Sequence, residues 1–410
     1  MKLYILVFCF LFTQFSFSQS TPAWFTQLMI RNLVFELSSD DYEGRQAGEK
    51  GGEKAGEYIS NYLSKIFKNC KNVDVYQQEF EFSISKNPHA ISNDGIKKIA
   101  KNIICFIDNK KEETIVIGAH YDHLGYGDFG SRYMGENSLI HNGADDNASG
   151  VALGIALLDL LYDSNKMYNY LFIAFDGEEM GLYGSSFFCK NPTINLSDVR
   201  FMLNFDMVGK LNQNNDLAIN GVGTSSQWKP LLDSANNQNN FILKLSESGI
   251  GPSDHSSFYL QDIPAIHFFT GQHKDYHTPL DKRNTLNYDG IFDILVFVED
   301  VINSSVSINN FDFKETKNDS KQTPKFSVTL GVMPDYLFSG KGMRIDGVSK
   351  GKTADKYGIM KGDVVIKMGS IDVNDMMSYM EGLSKFKKSD KTVIKVLREG
   401  VQIDISVVFQ

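Results

Sequence analysis

Cysteine is scarce in this chain, with four residues of 410. Cys9 lies in the apolar N-terminal segment, which leaves Cys70, Cys105 and Cys189 widely separated. None of them has Cys-x-x-Cys spacing, and three scattered cysteines do not form a disulfide framework. The sequence therefore excludes a disulfide-rich scaffold and a thiolate metal site. It leaves open a single disulfide of unspecified pairing.

Positive charge is also in deficit, since 41 Lys and Arg stand against 50 Asp and Glu for a net charge of −9. Nucleic-acid-binding domains usually carry a basic excess, so no nucleic-acid partner is expected. Beyond the N-terminus, no apolar run reaches the roughly 20 residues of a membrane-spanning helix. With 42% hydrophobic and 22% charged residues, the composition predicts a globular chain of two or three domains.

The N-terminus has the pattern of a secretory signal peptide. Lys2 is positively charged, Leu3–Phe12 form an apolar run, and Ser16-Phe17-Ser18 place small residues at the positions that signal peptidase reads. We therefore expect residues 1–18 to be a signal peptide and the protein to be secreted or periplasmic. A buried N-terminal strand is the alternative.

Short apolar runs alternate with helical patterns over residues 19–304, which predicts one α/β domain. The runs predicted to be buried strands are Thr114–Ala119, Tyr170–Phe175, Val199–Phe205 and Pro264–Phe269. Ala148–Tyr162 is apolar nearly all round and predicts a buried helix. This alternation predicts a mostly parallel central sheet flanked by helices, with ligands bound at the carboxyl ends of the strands.

A second, smaller domain is predicted after residues 305–325, a polar segment with neither helical nor strand periodicity that is typical of a linker. Residues 326–410 contain short β-branched runs and glycine turns, with one helical stretch at Asn374–Lys385. Val393–Leu397 and Gln402–Phe409 flank a turn and predict a hairpin. These patterns indicate a β-rich domain.

Acidic residues and histidines follow the predicted strands of the first domain. They are His120 and Asp122 after the first strand, Asp145 and Asp146 before the buried helix, Glu178 and Glu179 after the second strand, Asp206 after the third, and His277 after the fourth. Any one of them is more often structural than functional. Together at one sheet edge, carboxylates and imidazoles without thiolates suit zinc or a similar divalent ion.

The order of these residues resembles the signature of the secreted di-zinc aminopeptidase family, which also includes glutamate carboxypeptidases and glutaminyl cyclases. The similarity covers about Trp24 to Ile302. The resemblance implies a zinc exopeptidase fold with two Zn²⁺ ions, whose implied ligands are His120, Asp145, Glu179, Asp206 and His277. Asp145 would bridge the ions, and Glu178 would be the general base that accepts a proton from water.

Three further residues receive roles from the same resemblance. Asp122 would accept a hydrogen bond from the far nitrogen of His120 and so fix its tautomer. Asp254 and His255, within the sequence Ser253–Phe258, would contact the substrate or the oxyanion. The alternative is that Ser253 and Asp254 cap a helix, since both are good N-cap residues.

The C-terminal domain resembles a bacterial-type PDZ domain. Leu330, Gly331 and Val332 would form its carboxylate-binding loop, and Asn374–Lys385 its groove helix. The resemblance implies that a C-terminal peptide ligand adds a strand to the sheet. An adapter or lid that binds no free terminus is the alternative.

These observations predict a secreted zinc exopeptidase, in the first place an aminopeptidase acting on peptide substrates. A glutaminyl cyclase would use a similar site for intramolecular transfer and is the alternative enzyme. A peptide-binding protein on an inactive peptidase fold is the non-enzymatic alternative. Such a protein usually lacks a ligand or the base, and no expected residue is missing from this sequence.

Overall fold

The computed structural model describes residues 23–84, 96–133, 135, 137–316, 328–334, 338, 340–348, 351–374 and 376–409. The predicted signal peptide, residues 1–18, and residues 317–325 of the predicted linker lie outside these ranges. Within them, no helix combines the length and the apolar character needed to cross a bilayer. Cys70, Cys105 and Cys189 are all free thiols.

The first domain contains an eight-stranded mixed sheet in the order β1-β2-β4-β3-β5-β8-β6-β7. Its strands are β1 (Val73–Ile84), β2 (Ile96–Ile107), β3 (Thr114–His120), β4 (Asn169–Phe175), β5 (Val199–Phe205), β6 (Asp216–Asn220), β7 (Ile242–Ser246) and β8 (Ala265–Phe269). The central neighbours β4, β3, β5 and β8 are parallel, whereas β2 and β6 join them in antiparallel orientation. The predicted α/β fold with a large central sheet is confirmed, with parallel pairing concentrated at its centre.

Continuous apolar sequence explains why the central strands were predictable. Every residue of β3, β4 and β5 is buried, because helices cover both faces of the sheet and neither face tolerates polar alternation. The observed ends of all four predicted strands lie within one residue of the predicted ends.

Seven α-helices accompany this sheet in the part of the first domain that the structure describes. They are α1 (Ala23–Leu37), α2 (Lys50–Ile66), α3 (Gly150–Ser164), α4 (Tyr183–Lys190), α5 (Trp228–Asn236), α6 (His255–Tyr259) and α7 (Tyr288–Ser305). Helices α1, α2, α3, α5 and α7 share one apolar core with one face of the sheet. The opposite face packs against residues of α4 and α6. The predicted buried helix corresponds to α3.

Residues 308–316, which we call the strap, pack on the first domain although they were predicted to be linker. The Phe311 ring lies 4.8 Å from that of Phe201 and 4.7 Å from that of Trp228, centroid to centroid. Asp312 accepts hydrogen bonds from Ser225 and Ser226. Aromatic contacts and hydrogen bonds thus extend the first domain beyond residue 304. These contacts were not predicted because the composition of the strap is mostly polar and it has neither helical nor strand periodicity.

We expect Phe311→Ala to lower the free energy of unfolding of the full chain by about 2 kcal/mol, since it removes a half-buried ring from an aromatic cluster. Urea unfolding measures this change. The control is Phe25→Ala on α1, where the side chain is 43% exposed and the expected change is within about 0.5 kcal/mol. Equal losses in the two variants would show that the strap does not stabilise the domain.

The C-terminal domain is a six-stranded antiparallel sheet. Its elements are β9 (Val332–Pro334), β10 (Met343–Val348), α8 (Thr353–Lys356), β11 (Val364–Met368), β12 (Ile371–Asp372), α9 (Met376–Ser384), β13 (Lys391–Arg398) and β14 (Val401–Val408). The predicted hairpin is formed by β13 and β14, and the predicted helical stretch contains α9. The core of this domain also includes Ile250 and Tyr259 of the first domain, so the two domains pack against each other.

Candidate metal centre and active site

The carboxyl ends of the parallel strands supply side chains to one small cleft. β3 ends at His120, β4 is followed by Glu178 and Glu179, β5 by Asp206, and β8 by the loop that carries His277. The cleft has a volume of about 60 Å³. Its lining combines the acids Asp146, Glu178, Glu179 and Asp206 with His267 and His277 and with the apolar residues Met207, Pro252 and Phe269.

Asp146 lies between two groups of potential metal ligands. On one side, His120 Nε2 lies 3.4 Å from Asp146 Oδ1 and 3.3 Å from Asp206 Oδ1. On the other side, His277 Nε2 lies 3.1 Å from Asp146 Oδ2 and 3.0 Å from Glu179 Oε2. One carboxylate therefore faces two sets of donors, which is the arrangement that a ligand shared by two ions requires.

His123 belongs to the second group and was not identified from the sequence. Its Nδ1 lies 2.7 Å from Glu179 Oε1 and 3.8 Å from Asp146 Oδ2, while its buried Nε2 has no hydrogen-bond partner among the described residues. The available indication was a second histidine three residues after His120.

The shared position predicted for Asp145 is occupied by Asp146. The Asp145 carboxylate points away from the cleft, where Oδ1 accepts hydrogen bonds from Gly209 N at 2.6 Å and Ser149 Oγ at 3.1 Å. Its Oδ2 lies 3.1 Å from His273 Nε2. The two acids are adjacent in an irregular turn, Ala144–Ser149, where no helical or strand periodicity indicates which side chain faces the cleft.

Asp145 instead connects the segments that carry other site residues. Gly209 follows Asp206 closely, and His273 precedes His277 in the loop after β8. The Asp281 carboxylate accepts hydrogen bonds from the backbone N–H groups of both Asp145 and Asp146, at 3.0 Å each. Asp145 and Asp281 thus connect the three segments that carry the predicted ligands Asp206 and His277 and the shared residue Asp146.

Backbone carbonyls orient His120 and His277. His277 Nδ1 donates to Gly130 O at 3.0 Å, and His120 Nδ1 lies 3.2 Å from the backbone oxygen of Asp122. These contacts leave Nε2 of each ring directed at the carboxylates. A histidine that binds metal commonly donates its other ring N–H in this way.

Asp122 acts on the glutamates more directly than on His120. Its carboxylate accepts hydrogen bonds from Glu178 N at 3.0 Å and Glu179 N at 3.3 Å, whereas its Oδ1 lies 3.6 Å from His120 Nδ1. The predicted contact with the far nitrogen of His120 is thus made at 3.2 Å by the carbonyl oxygen of Asp122. The carboxylate fixes the turn that directs Glu178 and Glu179 into the cleft.

Burial and neighbouring charges shift the pKa values of the two adjacent glutamates in opposite directions. Burial raises the pKa of Glu178 well above its usual range, and the carboxylates of Asp206, Glu179 and Asp254 raise it further against the opposing effect of His120. Burial and Asp146 would also raise the pKa of Glu179, but His277 and His123 outweigh them and hold it at about 2. Glu179 is therefore an anion and Glu178 a proton acceptor of raised basicity.

The carboxylates create a strongly negative field that favours bound cations. Burial alone would lower the pKa of His277, but Glu179 and Asp146 raise it to about 10. The same field that favours a proton on the ring favours a metal ion between the ring and the carboxylates. Together with the imidazole and carboxylate donors, this shows that the residues present fit zinc.

A buried arginine stabilises the backbone around the cleft. Arg45 is 1% exposed, and its guanidinium donates to the carbonyl oxygens of Leu37, Tyr121, Asn142 and Gly143. It thereby joins the end of β3 to the turn that contains Asp146. Burial lowers the pKa of Arg45 to about 10 despite the neighbouring acids, so the group remains a cation at neutral pH.

Asp254 and His255 are fully buried behind the cleft and do not line it. Asp254 occupies the N-cap position of α6, as the alternative prediction placed it, but makes no side-chain capping hydrogen bond. The His255 ring stacks on His267 with centroids 5.0 Å apart, and His267 does line the cleft. Substrate contact by Asp254 or His255 thus has no support in this arrangement.

The domain that carries the cleft is similar to known proteins. Residues 102–299 match the family model described as Peptidase family M28. This segment is similar to the metallopeptidases of that family. The chain is 29% identical over 200 residues to aminopeptidase YwaD of Bacillus subtilis, and 27% identical over 209 residues to leucine aminopeptidase 2 of Trichophyton rubrum. These matches cover 46% and 45% of the chain but only 38% and 39% of the two relatives.

Solved structures share the fold of the first domain. A Zn-dependent exopeptidase from Parabacteroides distasonis superposes with a TM-score of 0.56 at 20% identity, covering 68% of this chain and 97% of its own. A glutaminyl cyclase from Bacteroides thetaiotaomicron superposes with a TM-score of 0.54 at 21% identity, with the same two coverages of 68% and 97%. At these identities the likeness concerns the fold, and it includes both enzyme types that the sequence analysis considered.

Proposed function

We propose that this protein is a zinc-dependent aminopeptidase that removes N-terminal residues from peptides and binds two metal ions. The position of Asp146 between two sets of donors carries this proposal. One ion would be held by His120, Asp146 and Asp206, and the other by Asp146, Glu179 and His277. We assign His277 rather than His123 to the second ion because His277 Nε2 lies within 3.1 Å of both carboxylates.

The proposed mechanism depends on the difference between the two adjacent glutamates. Zinc bound in this cleft would polarise the scissile carbonyl and lower the pKa of a water molecule. Glu178 accepts the proton of the attacking water and returns it to the leaving amine, acting first as general base and then as general acid. Its burial, which raises its basicity, supports this role. Glu179 is held as an anion by His123 and His277 and contributes charge to the metal centre.

A peptide that begins with glutamine tests the proposed reaction against the cyclase alternative. We expect the zinc-loaded protein to release free glutamine and a peptide shortened by one residue, and we expect a chelator to abolish the release. Mass spectrometry distinguishes this result from the formation of a pyroglutamyl peptide. That product is lighter than the substrate by the mass of one ammonia molecule, about 17 Da. Pyroglutamyl product without free glutamine would contradict the aminopeptidase proposal. A Glu178→Gln sample serves as the control for contaminating peptidases.

We further propose that the C-terminal domain is PDZ-like and that the protein is exported. The hairpin of β13 and β14 and the helix α9 support the first proposal. The predicted carboxylate-binding loop, however, already makes contacts within its own domain. Leu330 is fully buried in the domain core, and Gly331 N donates to Thr329 Oγ1 at 2.9 Å. Only Val332, at the start of β9, remains half-exposed. The apolar run Leu3–Phe12 supports export.

A further inference from the structure

A second cavity, between α2 and the strands β1 and β2, is much larger than the cleft. Its volume is about 510 Å³, which lies within the range of about 300–1,000 Å³ typical of small-molecule sites. Tyr121 and Asp176 line it together with residues of α2, β1 and β2. Neither Glu178 nor any proposed metal ligand lines this cavity, so it is distinct from the peptidase site.

A buried carboxylate with an unused oxygen lies at this cavity. Asp176 is 2% exposed, and its Oδ2 accepts hydrogen bonds from Tyr121 Oη at 2.9 Å and Lys101 N at 3.1 Å. Its Oδ1 has no hydrogen-bond partner in the described part of the chain. Buried carboxylate oxygens are rarely left without a donor, because the lost hydration costs free energy. A ligand with a hydrogen-bond donor would satisfy this atom.

The walls add three glutamates to this carboxylate. Glu53 and Glu57 are one helical turn apart on α2, and Glu79 lies on β1. None of the three forms an ion pair with another described residue. Residues four apart on a helix share one face, so Glu53 and Glu57 present their charges side by side.

The lysines at the cavity do not cancel this negative charge. Two of them are already paired at 2.7 Å, Lys97 with Glu81 and Lys98 with Glu49. Lys50 and Lys101 are the remaining cations of the lining. Glu53, Glu57 and Glu79 therefore outnumber the two ammonium groups of Lys50 and Lys101. Burial raises the pKa of Asp176 to about 7, so its carboxyl adds further negative charge as it ionises.

Small and apolar residues leave room for an aliphatic chain beside these acids. Ile99, Ala100 and Ile103 of β2 contribute apolar wall. Gly56 of α2 lines the same space, and a Cβ at this position would lie 2.8 Å from the Tyr121 hydroxyl. A larger residue at position 56 would therefore occupy part of the cavity next to Tyr121.

We propose that this cavity binds a primary ammonium group carried on an aliphatic stem, with Asp176 and the α2 glutamates as its acceptors. An ammonium group has three donors and no acceptor, which matches a site of carboxylates with an unused oxygen. Free polyamines and lysine side chains share this chemistry. The inference goes beyond the proposed peptidase function and does not depend on it.

Calorimetric titration of the full-length protein tests this inference without reference to catalysis. The probes are 1,5-diaminopentane, spermidine and Nα-acetyl-lysine amide, with Nα,Nζ-diacetyl-lysine amide as the neutral control. We expect the ammonium compounds to bind and the diacetylated compound to bind at least about tenfold more weakly, since a hydrogen bond to a charged group is lost. Preference for spermidine over the lysine compound would identify a free polyamine as the ligand, and the reverse would identify a lysine side chain.

Charge-neutralising variants locate the binding. We expect Glu53→Gln combined with Glu57→Gln to weaken binding about tenfold or more, and Asp176→Asn to do the same. The matched control is Glu112→Gln combined with Glu399→Gln, which removes two charges at exposed positions outside the cavity and should leave binding unchanged. If Asp176→Asn does not fold, the exposed α2 pair still decides the question. The proposal would be overturned if the charged and diacetylated probes bound equally, or if the α2 double variant bound as well as the control double variant. It would also be overturned if Ca²⁺ alone displaced the amines at equimolar concentration.

Discussion

Asp146→Asn is expected to remove both metal ions, because the amide cannot supply the charge with which one carboxylate joins two cations. Peptidase activity should fall to the background of the metal-free protein. The neighbouring variant Asp145→Asn provides a matched control with the same chemical change one residue away. It should retain both ions with metal affinity lowered about 10- to 100-fold, the usual cost of disturbing a residue that supports ligands. Metal analysis after dialysis against a graded series of chelator concentrations measures both results.

The two variants also decide between the sequence-based and the structural assignment of the shared ligand. Loss of both ions from Asp145→Asn, with normal metal content in Asp146→Asn, would restore the role first predicted for Asp145. The observed contacts of Asp145 with Gly209 N, Ser149 Oγ and His273 Nε2 argue for the opposite outcome. Replacing this carboxylate should therefore loosen the surrounding segments without removing a ligand.

Glu178→Gln is expected to lower turnover by about 10² to 10⁴, the usual contribution of a positioned general base, while metal content stays near normal. The amide preserves size and hydrogen bonding but cannot accept the proton of water. Steady-state kinetics on an aminoacyl anilide, together with metal analysis, measures the effect. KM should change little, since Glu178 acts on water rather than on the bound substrate.

Glu179→Gln is the control for this prediction, because it makes the same change at the adjacent residue. It should lose metal, since Glu179 is the anion that His123 and His277 contact at 2.7 and 3.0 Å. If Glu178→Gln lost metal and Glu179→Gln kept it, the roles of the two glutamates would be reversed. Normal turnover in Glu178→Gln would exclude it as the base.

The strand pattern shows how much of the fold was accessible from sequence. β3, β4, β5 and β8 were predictable because buried parallel strands require continuous apolar residues, and such runs have clear ends. The strap was not predictable, since Phe311 and Asp312 make their contacts in an irregular segment whose polar composition is typical of a linker. The antiparallel pairing of β2 with β4 and of β6 with β8 was not predictable either, because it joins segments that are distant in the sequence.

The sequence by itself determined which kinds of residue meet at the strand ends. Parallel strands place their carboxyl ends at one edge of the sheet, so His120, Glu178, Glu179, Asp206 and His277 had to converge once the strands were recognised. Only the tertiary structure decided that Asp146 rather than Asp145 faces the cleft and that His123 joins Glu179. The reason is physical: outside regular helices and strands no periodicity relates a residue's position to the direction of its side chain, which depends on contacts with segments far away in the chain.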